Sequence, residues 1–126
     1  MGRLAQYKKE YELAEAYFRK PFALDQSPPS LADASEAYRH LGNLFIEQRA
    51  YDKAEEAFKQ GDQYSQATFV STVRIAFLRD WARLKVVTGK LDEALEFHRR
   101  ALQAAELELQ YSLEHGSDAE KLKIAQ

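Results

Sequence analysis

Five side chains carry the chemistry that residue spacing offers in this chain. Arg39 and Asn43 stand four residues apart, as do Arg79 and Arg83, so on a helix each pair shares one face. Arg39 and Arg79 are separated by 40 positions, and Arg3, Asn43 and Arg83 follow one another at the same interval of 40. An arginine presents a planar fork of donors that matches a carboxylate or phosphate in two parallel hydrogen bonds. Repeated at a fixed interval, that fork describes a ladder of guanidinium groups. Other reactive residue types form no catalytic constellation. Gly89-Lys90-Leu91 lacks the upstream glycine and the Ser or Thr of a phosphate loop. His40, His98 and His115 have no second ligand at metal spacing, and Glu55, Glu56 and Glu93 sit where a solvated helix carries charge. The expectation is a non-enzymatic protein with no cofactor and no metal.

The elements that must hold these residues are helices. At a helical period Tyr38, Leu41, Leu44, Phe45 and Gln48 fall on one stripe, and Tyr51, Ala54, Ala57, Phe58 and Gly61 on a second. Only Arg49-Ala50 lies between them, so the second helix folds back along the first as an antiparallel hairpin. Gly42 and Ala54 are small where the helices meet. Tyr38, Phe45 and Phe58 are large where space opens between hairpins.

The run Tyr38-x2-Leu41-Gly42-x2-Phe45, followed by Ala54-x3-Phe58 and Gly61, resembles a tetratricopeptide repeat. Gln66 stands where the family places its closing proline. A shift of 40 positions brings Gly2, Leu4, Tyr11, Ala14 and Phe18 under this hairpin on one side, and Ala82, Leu84, Leu91, Ala94 and His98 on the other. That interval exceeds the ~34 residues of the common repeat and is similar to the longer-period variety. The resemblance implies an all-α, right-handed superhelical array of antiparallel helix hairpins, an α-solenoid of about three repeats with incomplete ends. One domain then spans residues 1–126. Repeat one occupies 1–29 and is truncated at its start, repeat two 30–66 and repeat three 67–115, with a partial following helix at 117–126.

Local signals place the boundaries. Pro21 cannot donate to the carbonyl of Tyr17, which predicts a kink or early helix end in the second helix of repeat one, residues 11–24. Residues 25–29 form a stiff connector, and Ser30 is an N-cap with Asp33 three residues on. The first helix of repeat three spans 67–88, with Phe69, Val73, Phe77 or Leu78, Trp81, Leu84 and Val87 or Thr88 as its apolar stripe. The spacing of Trp81 marks it as core. Gly89-Lys90 turns the chain, and a long helix from Leu91 runs to Glu114 or His115. His98 and Lys85 stand where the family has aromatics, so the outer side of repeat three is expected to pack differently.

The resemblance further implies that the first helix of each hairpin lines a concave surface. Arg3, Arg39, Asn43, Arg79 and Arg83 then face inward, with Ile46 and Val86 supplying apolar contact. Arg39-x3-Asn43 and Arg79-x3-Arg83 are similar in spacing to the Lys-x3-Asn and Lys-x3-Arg pairs of carboxylate-clamp members. Those members separate the pairs by a whole repeat, and here Asp80 intrudes beside Arg79. A looser groove for an acidic peptide segment of a partner protein is therefore the expectation, against solvated arginines or pairing with Glu36 and Glu47.

Composition bounds the alternatives. With 126 residues, 45% hydrophobic and 30% charged, the chain reads as one soluble domain. The net charge of −2 argues against a polycation for nucleic acid or membrane. No cysteine is present, which excludes disulfides and cysteine metal sites. No apolar run reaches the ~18 to 20 residues of a membrane span, and no signal peptide opens the chain, so an intracellular, soluble protein of open compartment is expected. Besides the groove, two readings stay open. One is a scaffold or homo-oligomer working through uncapped array ends, where Leu95, Leu102, Ala105 and Leu109 form an apolar stripe. The other is RNA binding by the same arginines, disfavoured by the charge and by the lack of interleaved aromatics.

Overall fold

The computed structural model describes residues 2–23 and 27–115, with side chains for 8–23 and 27–115. Every regular element among them is helical: α1 (Gly2–Arg19), a 3-10 turn (Lys20–Phe22), α2 (Leu31–Glu47), α3 (Tyr51–Ala67), α4 (Ser71–Val87) and α5 (Leu91–His115). The all-α expectation holds. Helix α2 packs along α3 and α4 along α5, while α4 also rests on α2 and α3, and α1 on α2.

Two turns of the same design make the hairpins. Ala50 N–H donates to the Phe45 carbonyl (2.8 Å) and Arg49 N–H to that of Ile46 (2.9 Å). Forty residues later Lys90 N–H donates to Lys85 (2.8 Å) and Gly89 N–H to Val86 (3.1 Å). Each pair of bonds satisfies the last helical carbonyls around one left-handed residue, the Schellman arrangement. Gly89 adopts φ 78° and Arg49 φ 60°. Arg49 bears the cost of its Cβ there, roughly 1 kcal/mol.

The packing of α2 on α3 depends on two glycines. A Cβ on Gly42 would lie 2.5 Å from the Phe58 ring, and one on Gly61 would lie 2.5 Å from Tyr38 Cβ and 2.7 Å from the Phe77 ring. Glycine is thus required for the close approach of α2 and α3. Leu41, Phe45, Ala54, Ala57, Phe58, Phe77, Trp81 and Leu84 form one core across both hairpins. Phe58 meets Phe77 edge-on at 5.5 Å and Trp81 face-on at 6.0 Å, and Trp81 stacks on Phe97 at 4.3 Å. An aromatic column thereby threads α3, α4 and α5. Ala82 and Ala94 are buried, and Ala14 and Phe18 are half-buried.

Several expectations need correction. Helix α1 runs unbroken through Lys8-Lys9-Glu10, where repeat register placed the turn of a first hairpin. Those residues are strong helix formers, and nothing in them favours left-handed backbone. The early helix end at Pro21 is present, with the proline inside the 3-10 turn. Ser30 caps α2, its hydroxyl accepting from Asp33 N–H at 3.1 Å. Helix α4 starts at Ser71, later than residue 67, because Arg74 closes the end of α3. Its guanidinium donates to the carbonyls of Ser65 (3.1 Å), Gln66 (3.0 Å) and Thr68 (2.7 Å). Phe69, expected in the α4 stripe, is fully exposed in the resulting loop. The partial helix expected at 117–126 lies outside the described residues.

Candidate interaction surface

Helices α2 and α4 share a polar face. Arg39 on α2 donates from Nη2 to Glu36 Oε2 (2.7 Å) and from Nη1 across to Asp80 Oδ2 on α4 (2.9 Å). Asn43, one turn further along α2, donates to the same Asp80 oxygen at 2.8 Å and accepts from Arg83 Nη2 at 3.0 Å. The result is a chain of alternating donors and acceptors, Glu36–Arg39–Asp80–Asn43–Arg83, stitched across the α2/α4 junction. Burial works against the Arg39 charge, but the bonds to Glu36 and Asp80 more than offset it and raise its pKa.

The arginines therefore divide. Arg39 is a strut, with its side chain only 20% exposed and held between two carboxylates. Arg83 is exposed and gives one bond to Asn43. Arg79 is exposed and makes no ion pair among the described residues. Ile46 packs against the core, whereas Val86 is 48% exposed. Arg3 lies on α1, outside the described side chains. Pairing of Arg39 with Glu36 is formed as the local alternative anticipated. Asp80, an intruder beside Arg79 by sequence, is the keystone of the network. Register makes Asp80 the α4 counterpart of His40, which does not say which side chain of α2 it meets.

Two further sites lie beside this face, and sequence spacing does not show their partners. A cleft of about 560 Å³ opens between the end of α1 and the start of α2, lined by Tyr17, Phe18, Lys20, Pro21, Glu36 and His40 among others. His40 stacks on Phe18 at 5.0 Å, and its Nε2 lies 3.6 Å from Glu36 Oε2. Burial, then the neighbouring Arg39 charge, lowers its pKa against the opposing pull of Glu36 and Asp80. The second site is Lys85, which is 4% exposed. Its ammonium lies 2.8 Å from Glu55 on α3 and 3.4 Å from Glu93 on α5. Trp81 Nε1 donates to the other Glu55 oxygen at 3.1 Å. Position 85 thus carries a charge where register leads one to expect an aromatic ring, and Phe97, one residue before the exposed His98, supplies the ring instead.

Among the described residues no group of three or more His, Cys, Asp and Glu is arranged to hold a metal ion, and no described helix is long and apolar enough to cross a membrane. His115 stacks on Tyr111 on the exposed end of α5. No family model, curated protein or solved structure matches the chain.

Proposed function

We propose that this chain is a non-enzymatic protein-interaction module of the tetratricopeptide-repeat type, an α-solenoid segment that takes an acidic peptide along the α2/α4 face. Arg79 and Arg83 are its anchors, Val86 its apolar edge, and Arg39 with Asn43 its positioning groups. The observation that carries this reading is the engagement of Asp80. That carboxylate, adjacent to Arg79, is occupied by Arg39 and Asn43, which leaves two exposed guanidinium groups one helical turn apart. Their forks can meet alternate acidic side chains of an extended segment, which share one face. The array reading is supported by the two hairpins with matched turns 40 residues apart and by the glycine contact between α2 and α3.

The test is fluorescence anisotropy with a labelled oligoglutamate peptide, its oligoglutamine counterpart and a single-stranded RNA of equal length. Oligoglutamate should bind in a salt-sensitive manner, and the Arg79→Glu, Arg83→Glu double variant should lose at least about tenfold in affinity. Equal binding by the variant, or tighter binding of the RNA, sets the reading aside.

A further inference from the structure

Helix α5 presents a second surface of opposite character. Leu91, Leu95, Leu102, Leu109 and Leu113 are 60%, 63%, 60%, 62% and 45% exposed. At 3.6 residues per turn all five fall within about 40° of arc, and Leu95, Leu102 and Leu109 repeat every seven residues as the seam of a two-stranded coil does. Repeat register shows what such a face is for. Forty residues before Leu91, Leu95 and Leu102 stand Tyr51, Glu55 and Asp62 on α3, and that side of α3 is covered, while the counterparts of Leu109 and Leu113 fall beyond the end of α3. Glu55 meets Trp81 and Lys85 of α4, Phe58 packs on Phe77 and Trp81, and Asp62 pairs with Arg100 at 3.3 Å. The leucine stripe is the α5 counterpart of a face that elsewhere in this molecule receives a helix.

Charge beside the stripe identifies the occupant. On its solvent flank stand Arg99 and, seven residues on, Glu106. If a second α5 runs antiparallel about a twofold axis near Leu102, each Arg99 meets the other copy's Glu106, while Leu95 faces Leu109, Leu91 faces Leu113 and Leu102 faces itself. A parallel twofold runs along the helices and puts the two Arg99 flanks on opposite sides of the seam, where neither Arg99 reaches a Glu106. The one bond Arg99 makes at present, to Glu96 at 3.3 Å, joins side chains 68% and 58% exposed, so it yields readily to a better partner. We infer that α5 is an antiparallel self-association seam and that the occupant of its leucine stripe is α5 of a second copy of this chain. This surface is separate from the α2/α4 face, and either assignment can fail alone.

Light scattering on the full chain, from about 1 µM to about 1 mM, tests this. The mass should rise with concentration toward twice the 14.5 kDa of one chain. Leu102→Glu puts two carboxylates on the twofold axis and should weaken the pair by at least about 100-fold, with helical circular dichroism unchanged. Arg99→Glu should weaken it about tenfold, and addition of Glu106→Arg should restore it. Because the chain has no cysteine, Leu95→Cys and Leu109→Cys chains can be mixed and oxidised. The antiparallel seam yields the disulfide between the two different chains, and a parallel one yields like with like. A constant single-chain mass, as when the chain's own residues cover the stripe, overturns the inference. So does a dimer indifferent to Leu102→Glu, or a preference for like-with-like disulfides.

Discussion

The α2/α4 face and the α5 stripe handle their surface chemistry in opposite ways. On α2/α4 the groups that look most available in the sequence are consumed at home: Arg39 by Glu36 and Asp80, Asn43 by Asp80 and Arg83. On α5 the leucines stay more than two-fifths exposed. The difference follows from what each partner can do in water. A half-buried guanidinium without an acceptor is costly, so the fold supplies acceptors. An exposed leucine costs little until something apolar is offered to it. Charge therefore closes the junction between hairpins and leaves Arg79 and Arg83 exposed beside it, while α5 keeps apolar surface open.

That contrast can be broken most severely at Arg39. Arg39→Glu would set three carboxylates together at the α2/α4 junction and should lower stability by about 3 kcal/mol in urea unfolding. A loss as small as that of a surface substitution would show that the network is ornamental. Asp80→Ala leaves Arg39 with Glu36 alone and Asn43 without its acceptor, and should cost about 2 kcal/mol by the same measurement. The open groups should behave otherwise. Arg79→Glu on one face and Leu102→Glu on the other should each change the stability of the dilute chain by less than about 0.5 kcal/mol.

His40 sharpens the comparison at the smallest scale. Its pKa is lowered in the folded chain from the ordinary ~6.5, so the unfolded chain binds this proton first as pH falls. Stability from this group is complete above about pH 6.5, declines as pH drops from there toward the folded pKa, and is level below it. Thermal melts should show that slope in the wild type and a shallower one in His40→Gln.

Much of the fold was legible because one spacing rule governs it. Tyr38, Leu41, Phe45, Ala54, Phe58 and Gly61 repeat at helical intervals, and their burial follows. Ser30, Pro21 and Gly89 carry backbone chemistry that acts within a turn of themselves, so cap, helix end and reversal were each readable locally. Register misled where local preference opposed it, as at Lys8-Lys9-Glu10, and where another residue could substitute, as Phe97 does for the ring expected at position 85. On the candidate surface Arg79 and Arg83 are exposed on one helix, as their spacing suggests, whereas Ile46 packs on the core and the wiring of Arg39 was not legible. Nothing near Arg39 in sequence announces Asp80, and nothing near Lys85 announces Glu55. Pairs across a helix junction are set by how the helices stack, which i, i+4 rules do not address.

Lys85 has a further consequence as a chemical clock. The exposed lysines 8, 9, 20, 53, 59 and 90 offer their amines to an acylating reagent at any moment. The Lys85 amine sits between Glu55 and Glu93 with a ring on its flank and can react only when α4 parts from α3 and α5. Its labelling rate relative to Lys90, five residues away, therefore counts how often the junction of the two hairpins opens, in a chain that carries no added probe.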